Sequence, residues 1–394
     1  MVCGGTDWLE LPQPHPSRSV RSDGAILDYP LEKAQCSSCA LVQTILRPGL
    51  EALQSLYRDD YDIYNNRPAS EQFVTGRYTA LAQAITASVS PYYPKKVLEV
   101  GCGNGAALQA VQAIWTQAKC IGMEPVTSAV AAAQAMNLDV SQGMIGTTLP
   151  SHIANERFDV IYTIHVIEHT DNPIDYLKTL SQLLEPHGRL VVTCPNASVP
   201  NLEIMRPDHH YSMMPYHLTV LARKAGLSPL KSTLCPGGGE GLDYEHNQLL
   251  LCQLASERDL HDSSVPVPDY LSQDNQMKIF GSRSKYFHDF AMLDDVLEEH
   301  TVDAARLVCF GTGGWACMLV GYAPKLWKRV TACVIDGGAD QEFCGKPIVP
   351  YARMQDVSPD AVIVGVNPAT QPLIVRRIEQ DGFRAIRWDN IIRV

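Results

Sequence analysis

In LEVGCGNGAAL, residues 98–108, an acid at Glu99 stands two residues ahead of three glycines, Gly101, Gly103 and Gly105, with Cys102 between the first two. Glycine lets a backbone turn sharply and lets a ligand approach the main chain without meeting a Cβ. A pyrophosphate turn and an amino-acid turn both need this, so the glycines alone leave the ligand open. Glu99 narrows it, because a carboxylate at a strand end attracts an ammonium group and repels a pyrophosphate. Glu124, in CIGMEP, follows Gly105 by 19 residues and closes the next strand, where a carboxylate accepts both hydroxyls of a ribose. An amino-acid end joined to a ribose describes S-adenosylmethionine. The expected cradle is Glu99, Gly101, Cys102, Gly103, Gly105, Glu124 and Pro125, with Met144 of DVSQGMIG packed on the adenine face.

Methyl transfer from a sulfonium is an in-line displacement helped mostly by positioning, and a carbon nucleophile also needs a base beside a carbonyl. Histidine is the natural base near neutral pH. His209 and His210, in PDHHYS, come first, then His165 in YTIHVIEH, whose strand end faces the cofactor; Tyr211 adjoins them. Glu168 and His169 stand at the start of the next helix, where they would cap it or brace the loop. Tyr61 and Tyr64 would close over the cofactor or simply pack, and His246, with Tyr244 and Glu245, is a further candidate.

Twelve cysteines in a chain expected to be cytosolic argue against disulfides. Cys36 and Cys39 have metal-knuckle spacing, and VCGG around Cys3 resembles half of another. Tetrahedral zinc needs a fourth ligand, from His15 in QPHPS or from a residue ahead of Met1; three ordinary thiols are the alternative.

The elements that must position these groups alternate. KVLEV, GAALQAVQAI, KCIGMEP, TSAVAAAQAM, FDVIYTI, NPIDYLKTLSQLL and GRLVVTCP read as strand and helix in turn, which specifies an α/β fold, a doubly wound Rossmann-like core over residues 91–256. A cysteine-containing module over 1–50 and a helical connector over 51–90 precede it. A polar, proline-bearing connector over 257–290 follows, with a helix from about Ser284 to Glu299. A second, smaller Rossmann-like α/β domain occupies 291–394. It has its own glycine turn, CFGTGGWACMLV, and Asp336 lies 25 residues beyond Gly311, a spacing that suits a dinucleotide. Against this, Trp315 stands where the helix must approach a phosphate, and Cys317 replaces the third glycine of that fingerprint. An accessory domain without a nucleotide is the favoured reading.

At LEVGCGNG, GMEP, FDVIYTIHVIEHTDNP and LLEPHGRLVVTCPN the chain resembles the class I S-adenosylmethionine-dependent methyltransferases, with the motifs in order over about 160 residues. The wider arrangement, a cysteine module ending in YPLEKAQCSSCALVQ, a methyltransferase core and a C-terminal α/β domain, resembles the sugar C-methyltransferase family. That resemblance implies C-methylation of a sugar nucleotide, a zinc-binding module near the active site, and a C-terminal domain that helps hold substrate. PDHHYS fits the family's acid-histidine-tyrosine stretch loosely. CPGGGEGLDYEHNQLLL lacks its arginine, which leaves O- or N-methylation as an alternative; the second glycine turn with Asp336 offers another, a C-terminal NAD-dependent oxidoreductase.

A formal net charge of -11 without a basic run argues against nucleic acid as partner, and no apolar run reaches the roughly 18 residues of a membrane span. A small-molecule substrate, a cytoplasmic location and a monomer or homodimer are expected.

Overall fold

The computed structural model describes residues 2–62, 71–235, 247–256, 265–337, 341–368, 370–388 and 390–392, the side chains of 71–74 excepted. Tyr64, Tyr244, Glu245 and His246 lie outside these residues. Turn formers crowd the first fifty positions, so the strands there are short: β1 (Trp8–Glu10), β2 (Ser19–Val20), β3 (Ile26–Leu27), β4 (Lys33–Cys36) and β5 (Val42–Thr44). β4 pairs antiparallel with β1 and β5, placing Trp8 opposite Cys36 and Gln35 opposite Val42. The CSSC stretch reverses the chain between β4 and β5. There the Cys36 N–H donates to the Leu41 carbonyl and the Ala40 N–H donates to the Cys36 carbonyl.

Val97, Leu98 and Val100 are all buried, as the apolar residues of a strand in the middle of a covered parallel sheet must be. That strand, β6 (Lys96–Val100), is followed by β7 (Lys119–Glu124), β8 (Val140–Gln142), β9 (Phe158–Ile164), β10 (Leu184–Pro195), β11 (Tyr211–Ser212), β12 (Leu227–Cys235) and β13 (Asn247–Leu254). The sheet order is β12-β13-β10-β9-β6-β7-β8, with β13 antiparallel to both its neighbours. The chain leaves β6 through β7 and β8, then returns to the opposite side of β6 for β9. The loops after β6 and β9 therefore diverge, and such a switch point is where doubly wound sheets hold ligands. β11 departs from this sheet and pairs with β5, Tyr211 opposite Gln43, so the N-terminal module is completed by a strand from the core.

A second sheet contains β14 (Leu307–Phe310), β15 (Val330–Ile335), β16 (Glu342–Phe343), β17 (Lys346–Pro350), β18 (Ala361–Val364) and β19 (Ala385–Ile386), in the order β16-β17-β15-β14-β18-β19. Its central strand β14 runs parallel to β15 and β18, which gives it the same switch-point layout. The helix ahead of it spans Gln273–His300, beginning eleven residues before the expected start near Ser284. Gln276 and Arg283 lie on its buried face, and these polar residues hide the apolar period on which the expectation relied. One apolar core joins all the parts: Leu11, Val20 and Leu31, Ala197 and Met205, and Phe287, Phe290 and Cys309 belong to it. Among the described residues no helix is long and apolar enough to cross a membrane.

Candidate active site

β6 ends in a turn that Glu124 holds from the end of β7. Its Oε2 accepts from the Gly103 N–H at 2.8 Å and its Oε1 from the Val126 N–H at 2.9 Å. Burial raises the Glu124 carboxyl above its ordinary value, and the two backbone donors work the other way. Gly101 has φ 75, and a Cβ there would meet Val166 Cγ2 at 2.3 Å, so glycine is required for the turn to lie against the loop after β9. Glu99 is 2% exposed beneath the turn, with Oε2 accepting from the Tyr162 hydroxyl at 2.9 Å. Burial pushes its carboxyl up to about 8. The Gly143 N–H donates to the Glu124 carbonyl at 3.1 Å, and the Gln142 amide donates to the Pro125 carbonyl. Gln142 and Gly143 thus border Glu124, with Met144 next in the chain. Cys102 turns its sulfur inward, buried against Gly122 and directed at the Gly103 carbonyl.

The loop after β9 begins with His165 at φ 55, a left-handed conformation that costs a non-glycine residue of order 1–3 kcal/mol. Its N–H is held by the Thr193 carbonyl at 2.9 Å. Its Nδ1 lies 3.6 Å from Glu168 Oε1, while its Nε2 has no hydrogen-bond partner among the described residues. Burial, then the charges of Arg77 and the neighbouring histidines, hold the ring well below its ordinary pKa. Glu168 is 1% exposed, neither carboxylate oxygen has a hydrogen-bond partner among the described residues, and burial raises it well above the carboxylate range. His169 and His209 stand edge to face with ring centroids 4.7 Å apart. His169 Nδ1 faces the Asp208 carbonyl at 2.9 Å, and His209 Nδ1 faces Glu203 Oε2 at 3.4 Å. Burial depresses both imidazoles.

The N-terminal module grips the loop that carries Asp208 and His209. Ser22 donates to Asp208 through both its N–H and its hydroxyl, Thr44 donates to the Pro207 carbonyl, and the buried Lys33 ammonium donates to the His209 carbonyl at 2.7 Å. Burial brings Lys33 down to about 8 and raises Glu203 to about 7. Arg283 pins the same interface from the long helix, donating to Gln35 Oε1, the Ala40 carbonyl and the Ala197 carbonyl. Tyr61 reaches the Ser22 hydroxyl at 3.1 Å, and the Tyr57 ring stands near His169.

Of the proposed proton-transfer groups, the structure therefore brings His165 and His209 together around Glu168 and His169. His210 is turned away, its Nδ1 toward the Thr170 carbonyl, and burial brings it down to about 4. The Tyr211 hydroxyl donates to the Asp171 carbonyl and is itself met by Arg47, so Tyr211 staples the module to the core. Glu168, His169, Glu203 and Asp208 carry more of the pocket than the sequence reading gave them. The IEH and PDHH stretches were the available signal, but only the pairing of β11 with β5 shows that the two loops meet.

Cys3, Cys36 and Cys39 offer sulfurs all within 4.8 Å of one another, close to the spacing of about 3.8 Å that 2.3 Å zinc–sulfur bonds impose in a tetrahedron. The Gly5 N–H donates to Cys3 Sγ and the Ser38 N–H to Cys36 Sγ, which suits thiolates. The set fits zinc as three of four ligands. His15 does not join it: its Nδ1 accepts from the Ser17 N–H, and the charges acting on it are Arg18 and Asp294. In the C-terminal sheet, Asp336 forms an ion pair with Arg377 at 2.6 Å, and Trp315 packs between Phe290 and Trp388.

Residues 74–232 match the family described as a methyltransferase domain. The ubiquinone biosynthesis O-methyltransferase of Cereibacter sphaeroides (strain ATCC 17025 / ATH 2.4.3) is 26% identical over 183 residues, 43% of this chain and 74% of that one. Its counterpart in Bradyrhizobium diazoefficiens is 33% identical over 104 residues, 26% of this chain and 40% of that one. Among solved structures, the glycopeptide N-methyltransferase MtfA complexed with (S)-adenosyl-L-methionine aligns over 45% of this chain and 95% of that chain at 14% identity, with a TM-score of 0.38. The glycine turn with Glu124 at its edge, the family match and the curated relatives agree: residues 74–232 are a class I methyltransferase domain, and the protein is an S-adenosylmethionine-dependent methyltransferase.

Proposed function

We propose that the protein methylates a small-molecule acceptor that must give up a proton, in the pocket formed by His165, Glu168, His169 and His209. The observation that carries this is the contact of the His165–Val166 loop with the glycine turn at Gly101, which sets an orphaned imidazole nitrogen beside the cofactor cradle. S-adenosylmethionine supplies a methyl group on a cationic sulfur; the C–S pair stays on sulfur, the acceptor's lone pair forms the new bond, and its proton goes to the base. Glu124 would accept the ribose hydroxyls, and Glu99 Oε1 would receive the ammonium. His165 Nε2 is the base, and Glu168, near its Nδ1, would offset the charge it acquires. His209, held by Lys33 and Glu203, lines the acceptor side.

The acceptor we favour is a sugar nucleotide methylated on carbon. Two features support it: a neutral base in a buried site suits proton removal next to a carbonyl, and the N-terminal module and C-terminal domain both border the core loop that carries His209. Arg206, one turn earlier, donates to the carbonyls of Arg21 and Gly314. A second reading, O-methylation of a hydroxyl, is favoured by the names of the curated relatives. Zinc on Cys3, Cys36 and Cys39 would be structural, holding the β4–β5 reversal whose strands carry Lys33 and Thr44. Incubation of a keto-sugar nucleotide with the protein and S-adenosylhomocysteine in deuterated water should exchange the hydrogen beside the carbonyl. Failure to exchange, with methyl appearing on oxygen when S-adenosylmethionine is supplied, would replace the first acceptor by the second.

A further inference from the structure

The acceptor pocket holds a second constellation, which shares only Glu168 with the proton-transfer group. One donor atom from each of Glu168, His169 and His209 lies within 4.8 Å of the others. Glu168 is 1% exposed and both its oxygens lack a hydrogen-bond partner among the described residues, although Glu203 and Asp208 add further negative charge nearby. A carboxylate so placed must either keep a proton or be met by a cation, because an unpaired buried ion costs several kcal/mol. The histidines are prepared for the second outcome. His169 Nδ1 is directed at the Asp208 carbonyl and His209 Nδ1 at a Glu203 oxygen, and a ring whose Nδ1–H is taken in this way presents a lone pair at Nε2. Carbonyl and carboxylate partners of this kind orient metal-ligating histidines.

We propose that Glu168, His169 and His209 bind one divalent first-row metal ion through a carboxylate oxygen and two Nε2 nitrogens. Two imidazoles and one carboxylate suit the range from manganese to zinc, and three protein ligands leave positions for oxygens of the acceptor, such as a carbonyl and an adjacent hydroxyl. Bound there, the metal acts as a Lewis acid that lowers the pKa of the acceptor. That role rests on the methyl-transfer reading; the metal site itself does not. The thiols of Cys3, Cys36 and Cys39 form a separate, sulfur-only group that favours softer ions, so manganese distinguishes the two.

The test titrates the full-length protein with Mn2+, counting free ion by electron paramagnetic resonance, and measures S-adenosylhomocysteine binding by calorimetry on the same samples. The expected result is one Mn2+ bound per chain, a Kd at least tenfold weaker in Glu168→Gln, and S-adenosylhomocysteine affinity kept within threefold. Should Glu168→Gln also lose S-adenosylhomocysteine binding, His209→Gln is read by the same criterion. A wild type that binds S-adenosylhomocysteine but takes up no Mn2+ at millimolar concentration overturns the site, as does a Glu168→Gln variant with wild-type Mn2+ affinity. A protein that binds Mn2+ but not S-adenosylhomocysteine overturns the methyl-transfer reading and with it the role given to the metal.

Discussion

Glu124→Gln separates a ribose ligand from a brace for the glycine turn. The two carboxylate oxygens accept from Gly103 and Val126 at 2.8 and 2.9 Å, so the amide can satisfy only one donor and must turn its NH2 toward the other. Losing one charge-assisted bond costs about 1.5–3 kcal/mol of folding stability. Binding loses a further share, because the ribose hydroxyls would have donated to the same charged group. Two such bonds of about 1.5–2 kcal/mol each, reduced to one neutral bond of about 1 kcal/mol, cost about 2–3 kcal/mol. At 1.4 kcal/mol per tenfold, the Kd for S-adenosylhomocysteine should rise about 30- to 140-fold. Calorimetry near neutral pH reads the Kd, and a thermal midpoint on the unliganded protein reads the turn. A lowered midpoint with a Kd within threefold of wild type would show that Glu124 only braces the turn.

Other residues give independent tests. Glu99 is raised to about 8 from 4.5, so the fold keeps a proton that the unfolded chain releases in that window, and stability falls as pH rises through it. Glu99→Gln should flatten the decline in denaturant midpoint between about pH 5 and about pH 8; an unchanged slope refutes the assignment. Lys33→Met frees the His209 loop from its buried donor, and should lower kcat on the order of tenfold to a hundredfold while S-adenosylhomocysteine affinity holds; equal losses in both would mean general unfolding. Arg283→Met strands three acceptors, at Gln35, Ala40 and Ala197, with relief from burying a guanidinium that burial already brings down to about 10. A net loss of about 2–4 kcal/mol in urea unfolding is expected, and a loss below about 0.5 kcal/mol contradicts it. Cys36→Ser should abolish zinc in elemental analysis of the purified protein; a wild type without zinc removes that claim.

Local patterning carried the methyltransferase core a long way. KVLEV and FDVIYTI are mostly apolar, β-branched runs of strand length alternating with helical segments, as a covered parallel sheet requires, and glycines next to an acid show a turn meant for a ligand. Each signal is contained within one loop or one strand, so neighbouring residues suffice to read it. The long helix was harder to see. Gln276 and Arg283 occupy buried positions because their partners, Ser38 for the one and Gln35, Ala40 and Ala197 for the other, lie in distant parts of the chain.

By itself, then, the sequence determined the alternation of strand and helix, the glycine turn with Glu124 at its edge, and the spacing of Cys36 and Cys39. Tertiary structure alone decided which histidines meet. PDHH and IEH are about forty residues apart in sequence, and nothing local says that β11 leaves the core to pair with β5. That pairing carries His209 to His169 and turns His210 toward the Thr170 carbonyl. The physical reason is range: turns and strand periods are written in adjacent residues, whereas a pocket of buried charges depends on partners that only the folded chain brings within hydrogen-bond distance.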